Sequence, residues 1–277
     1  FTRLWEGALM SLDEEAIAEK LAELEPAWAG RPNVFTREIA AKDVDSIVAR
    51  LGDSLPAVRG DAAEALGQLK SVAALPKLKA MLQDADPNAR RSAAIALASL
   101  GNEEIAKEFV KNLLDASAKV VAGAATALGL ARYKAAVPYL LKAYRTEHPR
   151  VAAAVATALG QLGDRQAVPW LVTAMKTGLA PVEAAAALGE LSDPAATRPL
   201  CDALGHELPA LRAAAARSLG RLAQAGSIDF VLKDQALSSL HKLTADADER
   251  VRFCAALALA GFGDPVGKKQ LTHLLAT

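Results

Sequence analysis

The chain has little of most things that would mark a particular chemistry. Two cysteines in 277 residues, Cys201 and Cys254, are too few for a disulfide framework and point to a reducing, cytoplasmic setting. Neither sign of charge predominates: 32 Lys and Arg stand against 32 Asp and Glu. That argues against a nucleic-acid partner, since displacing counterions from phosphates takes an excess of cations. No run of about 18 uncharged apolar residues is present, so no membrane span is expected. The longest charge-poor stretch, Val151 to Gly163, is rich in alanine and too short. There is no GxGxxG or GxxxxGK[ST] phosphate loop, no GxSxG elbow and no HExxH, and no enzyme activity is expected. Aromatic residues are only 4 % of the chain, so those at patterned positions carry weight. Charged residues, 23 % of the total, are spread along the chain, which speaks against wholesale disorder.

What is present is a repeat. AAEALG from Ala62 returns as AAIALA from Ala93, AATALG from Ala124, VATALG from Val155, AAAALG from Ala184, AARSLG from Ala215 and AALALA from Ala255. The leucines in these copies, Leu66, Leu97, Leu128, Leu159, Leu188, Leu219 and Leu259, lie 31, 31, 31, 29, 31 and 40 residues apart. A second ladder runs between them through Ile47, Leu78, Phe109, Leu140, Leu171, Leu200, Leu240 and Leu271. The two ladders together locate a two-residue deletion around Gly178–Pro181 and a nine-residue insertion near Ala225–Asp234. Fixed-period self-similarity of this length is the mark of a repeat architecture.

Each unit reads as two helices. The first carries small residues followed by leucine at helical spacing, and alanine both favours helix and lets neighbouring backbones approach. The second shows Leu75, Leu78 and Leu82 in one copy and Val137, Leu140 and Tyr144 in another. Gly163-Asp164 and Gly263-Asp264-Pro265 break the chain between helices, and Pro76, Pro138 and Pro169 open second helices, where a missing N–H costs little. No segment alternates with period two, so no sheet is expected. One hairpin cannot bury its own apolar face, whereas stacking on both neighbours does. The expected fold is therefore an all-α solenoid of stacked antiparallel helix pairs, seven to eight units over 39–277. The acidic amphipathic segment holding Leu12, Ile17, Leu21 and Leu24 is expected to form an N-terminal helical cap over 1–38, packing Trp5 and Trp28.

The strings DADPNARRSAAIALASLG (Asp84 to Gly101) and LGDRQAVPWL (Leu162 to Leu171) resemble the short HEAT repeats of the phycobilin-lyase type. The resemblance covers Ile39 onward. It implies a right-handed superhelix with first helices on the convex side and second helices lining the concave side. Members of that family include scaffolds, bilin-lyase subunits and a metal-dependent deoxyhypusine hydroxylase. The hydroxylase binds iron through His-Glu pairs in its first helices, but the one His-Glu pair in this chain is His206-Glu207, in a turn. No metal site and no cofactor are expected. Cys201 and His241 share a column of adjacent second helices, a soft pair that falls short of the four ligands of a closed zinc site.

Arg59, Arg90, Arg212 and Arg252 occupy one repeated position after the turns, and aspartates precede three of them. This reads as an Asp/Arg ladder tying successive turns together, with aspartate also free to cap helix N-termini. The candidate binding residues lie on the second helices. Tyr139 and Trp170 precede the ladder leucine in consecutive units, where Ser46, Lys77, Glu108, Ser239 and Gln270 stand elsewhere. Lys111, Lys142 and Arg145 lie in the stretch 101–150, which holds eight basic and five acidic residues. Exposed aromatics beside cations suit a protein partner, one with an acidic or extended segment. The expected function is a non-enzymatic protein–protein interaction scaffold. The alternative, implied by the family resemblance, is an accessory or lyase subunit handling a linear tetrapyrrole.

Overall fold

The computed structural model describes residues 35–100, 103–143 and 148–275. Residues 1–34, most of the expected cap, lie outside them. The described helices fall into two compact blocks, one within residues 31–164 and one within residues 165–277. Among the described residues there is no strand.

The N-terminal block begins with α1 (Thr36–Ala41) and α2 (Val44–Ala49), and then alternates first and second helices. Its first helices are α3 (Pro56–Gln68), α5 (Pro87–Ser99), α7 (Ala118–Leu130) and α9 (Pro149–Leu162). Between them lie the second helices α4 (Leu75–Met81), α6 (Glu103–Asn112) and α8 (Val137–Ala143). The C-terminal block opens on a second helix, α10 (Val168–Thr177), and continues α11 (Pro181–Leu191), α12 (Thr197–Ala203), α13 (Pro209–Gln224), α14 (Lys233–Leu243), α15 (Glu249–Gly261) and α16 (Pro265–Leu275). Pro76, Pro138 and Pro169 each stand second in their helix, where proline removes no intrahelical hydrogen bond.

Both ladders are core. All fifteen residues named above, from Ile47 to Leu271, are at most 3 % exposed. First helices pack most extensively on first helices: α3 on α5 and α7 on α9 in one block, α11 on α13 and α13 on α15 in the other. Glycine after the ladder leucine permits this. A Cβ on Gly67 or Gly129 would stand 2.8 or 2.7 Å from the Cα of Ala96 or Ala158, and one on Gly220 would stand 2.8 Å from that of Ala258. These glycines are helical, and closeness of approach, not backbone freedom, requires them.

The first helices end in a shared way. Lys70, Arg132, Gly163, Ser192 and Gly263 occupy corresponding positions, and all have positive φ, between 48° and 80°. Only the glycines adopt this conformation without steric cost.

Successive turns are tied by arginine. Arg59 donates from Nε and Nη2 to both carboxylate oxygens of Asp84, each at 2.7 Å, and from Nη1 to the carbonyls of Asp53 and Ser54. Arg212 does the same with Asp246 at 2.9 and 2.8 Å, and with the carbonyls of His206 and Glu207. In each case the aspartate also accepts the N–H two residues on, from Asp86 and Asp248. The guanidinium hydrogen bonds hold the carboxyls of Asp84 and Asp246 below the usual carboxylate range, outweighing their partial desolvation. The carboxylate lies 25 residues beyond Arg59 but 34 beyond Arg212. That difference is the nine-residue insertion, taken up without loss of the joint.

The insertion itself lengthens two helices and the turn between them. α13 has 16 residues, against 13 in α3, α5 and α7, and α14 has 11, against seven in α12. The turn is anchored where Asp229 N–H donates to Oγ1 of Thr197, a fully buried residue, and where Asp229 Oδ1 accepts from Val231 N–H.

Candidate functional site

The second helices supply the variable surface. In α8, Leu140 is fully buried while its neighbour Tyr139 is 45 % exposed, so the helix turns its ladder residue inward and its tyrosine outward. Lys142 follows Tyr139 by three residues, on the same side of the helix, and is also exposed. Lys111, exposed on α6, stands 31 residues before Lys142 and so holds the same column one unit earlier. Glu108, in the tyrosine column of that unit, is paired with Lys79 of α4. The N-terminal block thus presents a phenol ring and two ammonium groups on its second-helix side, with a neighbouring carboxylate already engaged.

The remaining candidates are placed differently. Trp170 belongs to the C-terminal block and is half-buried on α10. Arg145 lies outside the described residues. The tyrosine column is not uniform: Ser46, Lys77 and Tyr139 are exposed, while in the C-terminal block Pro199 is buried and Ser239 and Gln270 are half-buried.

The residues weighed for metal chemistry have other partners. His241 Nε2 lies 3.2 Å from Asp264 Oδ2. Asp264 is partly desolvated, but N–H groups of Gly267 and Val266 and the nearby His241 hold its carboxyl below the usual range. Cys201 is buried, and desolvation pushes its thiol up to about 11, so it is a poor source of thiolate. His206 Nδ1 accepts the N–H of Leu208 at 3.0 Å, the bond that Asp53, Asp84, Asp115 and Asp246 make in the matching turns. This histidine therefore serves as an aspartate substitute in a turn. Among the described residues, no group of three or more His, Cys, Asp or Glu side chains could hold a metal ion. No helix among them is long and apolar enough to cross a membrane.

One exposed feature escaped the reading of the sequence. Phe230 and Val231, at the tip of the inserted turn, are 88 % and 82 % exposed. The ladder spacings located the insertion, but they carry no information about which way its side chains face.

Comparison with known proteins agrees with this architecture. The family model for HEAT repeats matches residues 44–126, 106–183 and 179–234, and the chain belongs to the HEAT-repeat family. No curated protein matches the sequence. Among solved structures, the complex of CpcE and CpcF of phycocyanin lyase from Nostoc sp. is similar at 23 % identity and TM-score 0.51, over 83 % of this chain and 94 % of that one. Kap121p bound to Nup53p is similar at 14 % identity and TM-score 0.60, over 92 % of this chain and 32 % of that one. Kap121p bound to Ste12p gives 13 % identity and TM-score 0.63, over 94 % and 33 %. The chain thus spans about a third of Kap121p, and the likeness in all three cases is one of fold.

Proposed function

We propose that the chain is a non-enzymatic scaffold that binds an acidic or extended segment of a partner protein on its second-helix face. The observation that carries this reading is Tyr139, an exposed ring on a helix whose ladder residue is fully buried, with exposed Lys142 on the same side of that helix and exposed Lys111 in the corresponding column one unit earlier. An aromatic ring supplies contact area at low entropic cost, while the ammonium groups steer and orient an acidic partner. The solved relatives support a protein partner in general terms, since Kap121p is bound to Nup53p or Ste12p and CpcE to CpcF. Cys201 and Cys254 are buried and form no disulfide, which suits a reducing, cytoplasmic setting.

The test is affinity capture from the source cell's lysate with the parent chain and with Tyr139→Ala/Trp170→Ala. A protein retained by the parent and lost by a variant of unchanged helical content supports the reading. Equal retention by both removes Tyr139 and Trp170 from the binding face. The likeness to the phycocyanin lyase complex favours a second reading, tetrapyrrole handling, in which lysines pair with propionates and the rings stack on the pigment. A visible absorbance change on adding bilin or haem, with no protein captured, would replace the first reading by the second.

A further inference from the structure

Within the N-terminal block, the joint between α5 and α7 is built differently from those on either side. A glycine after the ladder leucine normally lets the next first helix reach backbone contact, Gly67 of α3 against Ala96 of α5 and Gly129 of α7 against Ala158 of α9. In the C-terminal block a Cβ on Gly189 of α11 would stand 2.9 Å from the Cα of Ser218 on α13. In all three cases the contacted residue lies 29 positions further on. The corresponding residue of α5 is Ala98, and 29 positions beyond it is Ala127 of α7. A methyl therefore stands where the other joints have none, and close-packed helices yield to it by parting. Two observations register this. α5 packs less extensively on α7 than α3 does on α5 or α7 on α9. Ala98 is also half-buried, where Gly67 and Gly129 are buried.

The tie across the same joint is unmade, although both of its halves are present. Arg90 follows Arg59 by 31 residues, and Asp115 follows Asp84 by 31. Arg90 donates from Nη1 to the carbonyls of Asp84 and Ala85, as Arg59 does to those of Asp53 and Ser54. The guanidinium is a rigid planar fork, so its Nε–Nη2 edge is aimed as in Arg59. In Arg59 that edge holds Asp84 in bidentate fashion. Among the described residues Asp115 does not reach Arg90: it is exposed and accepts the N–H of Ser117. A fork fixed to its own turn cannot follow a neighbouring turn that the Ala98 methyl holds away.

We infer that the joint between α5–α6 and α7–α8 is a two-position hinge, open as described here, whose closed position brings the Asp115 carboxylate onto the Nε–Nη2 edge of Arg90. Packed interfaces shift between discrete arrangements and do not deform continuously. The methyl of Ala98 favours the open position and a charge-assisted bidentate pair favours the closed one, so the two populations are in balance. The hinge divides the candidate site: Lys111 on α6 lies on one side of it, and Tyr139 and Lys142 on α8 lie on the other. The consequence for binding rests on the scaffold reading. The second-helix face adjusts the separation of its cations to the spacing of carboxylates in an acidic partner segment.

The experiment is a pulsed-EPR distance measurement between nitroxide labels on the full chain, with the two buried cysteines, Cys201 and Cys254, replaced by alanine. The pair Ala80→Cys/Lys142→Cys spans the hinge from α4 to α8. The control pair Ala49→Cys/Lys111→Cys spans as many units, from α2 to α6, without crossing it. All four positions are exposed and share one column of the second helices. Each separation is on the order of 20 Å, two helix-packing steps. The distribution across the hinge is expected to be about twice as broad as the control. Ala98→Gly is expected to enrich its shorter component, and Asp115→Asn to deplete that component. The control distribution is expected to stay the same in both variants, which shows that the fold is kept. Equal widths for the two pairs overturn the inference, as does a distribution that neither substitution shifts or that both shift the same way. No partner is present in this measurement, so the hinge can fail while Tyr139 still captures a partner, and failed capture leaves the hinge standing.

Discussion

The two layers of helices differ more than the two ends of the chain do. In the first helices alanine and glycine allow backbone to lie against backbone, and more than half of the residues are buried: α7 buries eight of its 13 residues and α15 nine of its 13. Second helices vary more: α8 buries only Val137, Leu140 and Ala143 of its seven residues and turns Tyr139 and Lys142 to solvent, whereas α12 buries five of its seven. Repetition is therefore strict where neighbours touch and loose where they do not. The lesson is that one layer sets stability while the other is free to carry recognition, and the sequence period follows the first.

The sharpest way to break this contrast is to remove a residue that belongs to both layers. Leu140 roots the second helix α8 in the core, and Leu140→Ala is expected to cost about 2–5 kcal/mol through the cavity it leaves, measured by urea denaturation. Next comes Gly220→Ala. Alanine ordinarily favours helix over glycine by about 1 kcal/mol, but here its methyl would lie 2.8 Å from the Ala258 Cα. Net destabilisation of about 1–3 kcal/mol is expected, and a stabilised variant would show that the first helices can part without penalty.

Arg212→Ala is expected to cost about 2 kcal/mol at neutral pH, because Asp246 loses its counter-charge while remaining mostly covered. The Asp246 carboxyl is held below its ordinary value of about 3.9, so this stabilisation is complete above that value and is lost as pH falls through the lower folded value. Parent and variant should therefore converge in stability below about pH 4, and a constant gap would mean the joint acts by packing alone. The smallest effect is expected for Tyr139→Ala, below about 0.5 kcal/mol, as for an exposed side chain away from any joint. A loss similar to that of Leu140→Ala would place the ring in the core and end its role as an anchor.

The core was legible in the sequence because one physical demand recurs every 31 residues. Each ladder leucine has to enter the space between two units, and no other residue type repeats so strictly there. The Arg59–Asp84 and Arg212–Asp246 joints were legible for the same reason. Other features hid because several residues meet one demand. The left-handed position ending the first helices shows itself as a break at Gly163 and Gly263, yet Lys70, Arg132 and Ser192 adopt it too and give no sign of it in sequence. His206 concealed its role by substituting for aspartate with a ring nitrogen. At the candidate site, residue identity marked Tyr139 and Trp170 alike. Their differing exposure depends on what packs around each helix, which spacing does not encode.

The joint across the insertion has a consequence for how this chain tolerates change. Arg212 and Asp246 meet in space with the same bidentate geometry as Arg59 and Asp84, though nine more residues separate them along the chain. Length added between two helices of a pair is absorbed as an outward excursion, fastened at Thr197 and Asp229 and tipped by Phe230 and Val231. The register of the stack is thus set by clasps and not by chain length. The turn around 225–232 is accordingly a splice point, where foreign sequence can be grafted for display while the array on either side keeps its alignment.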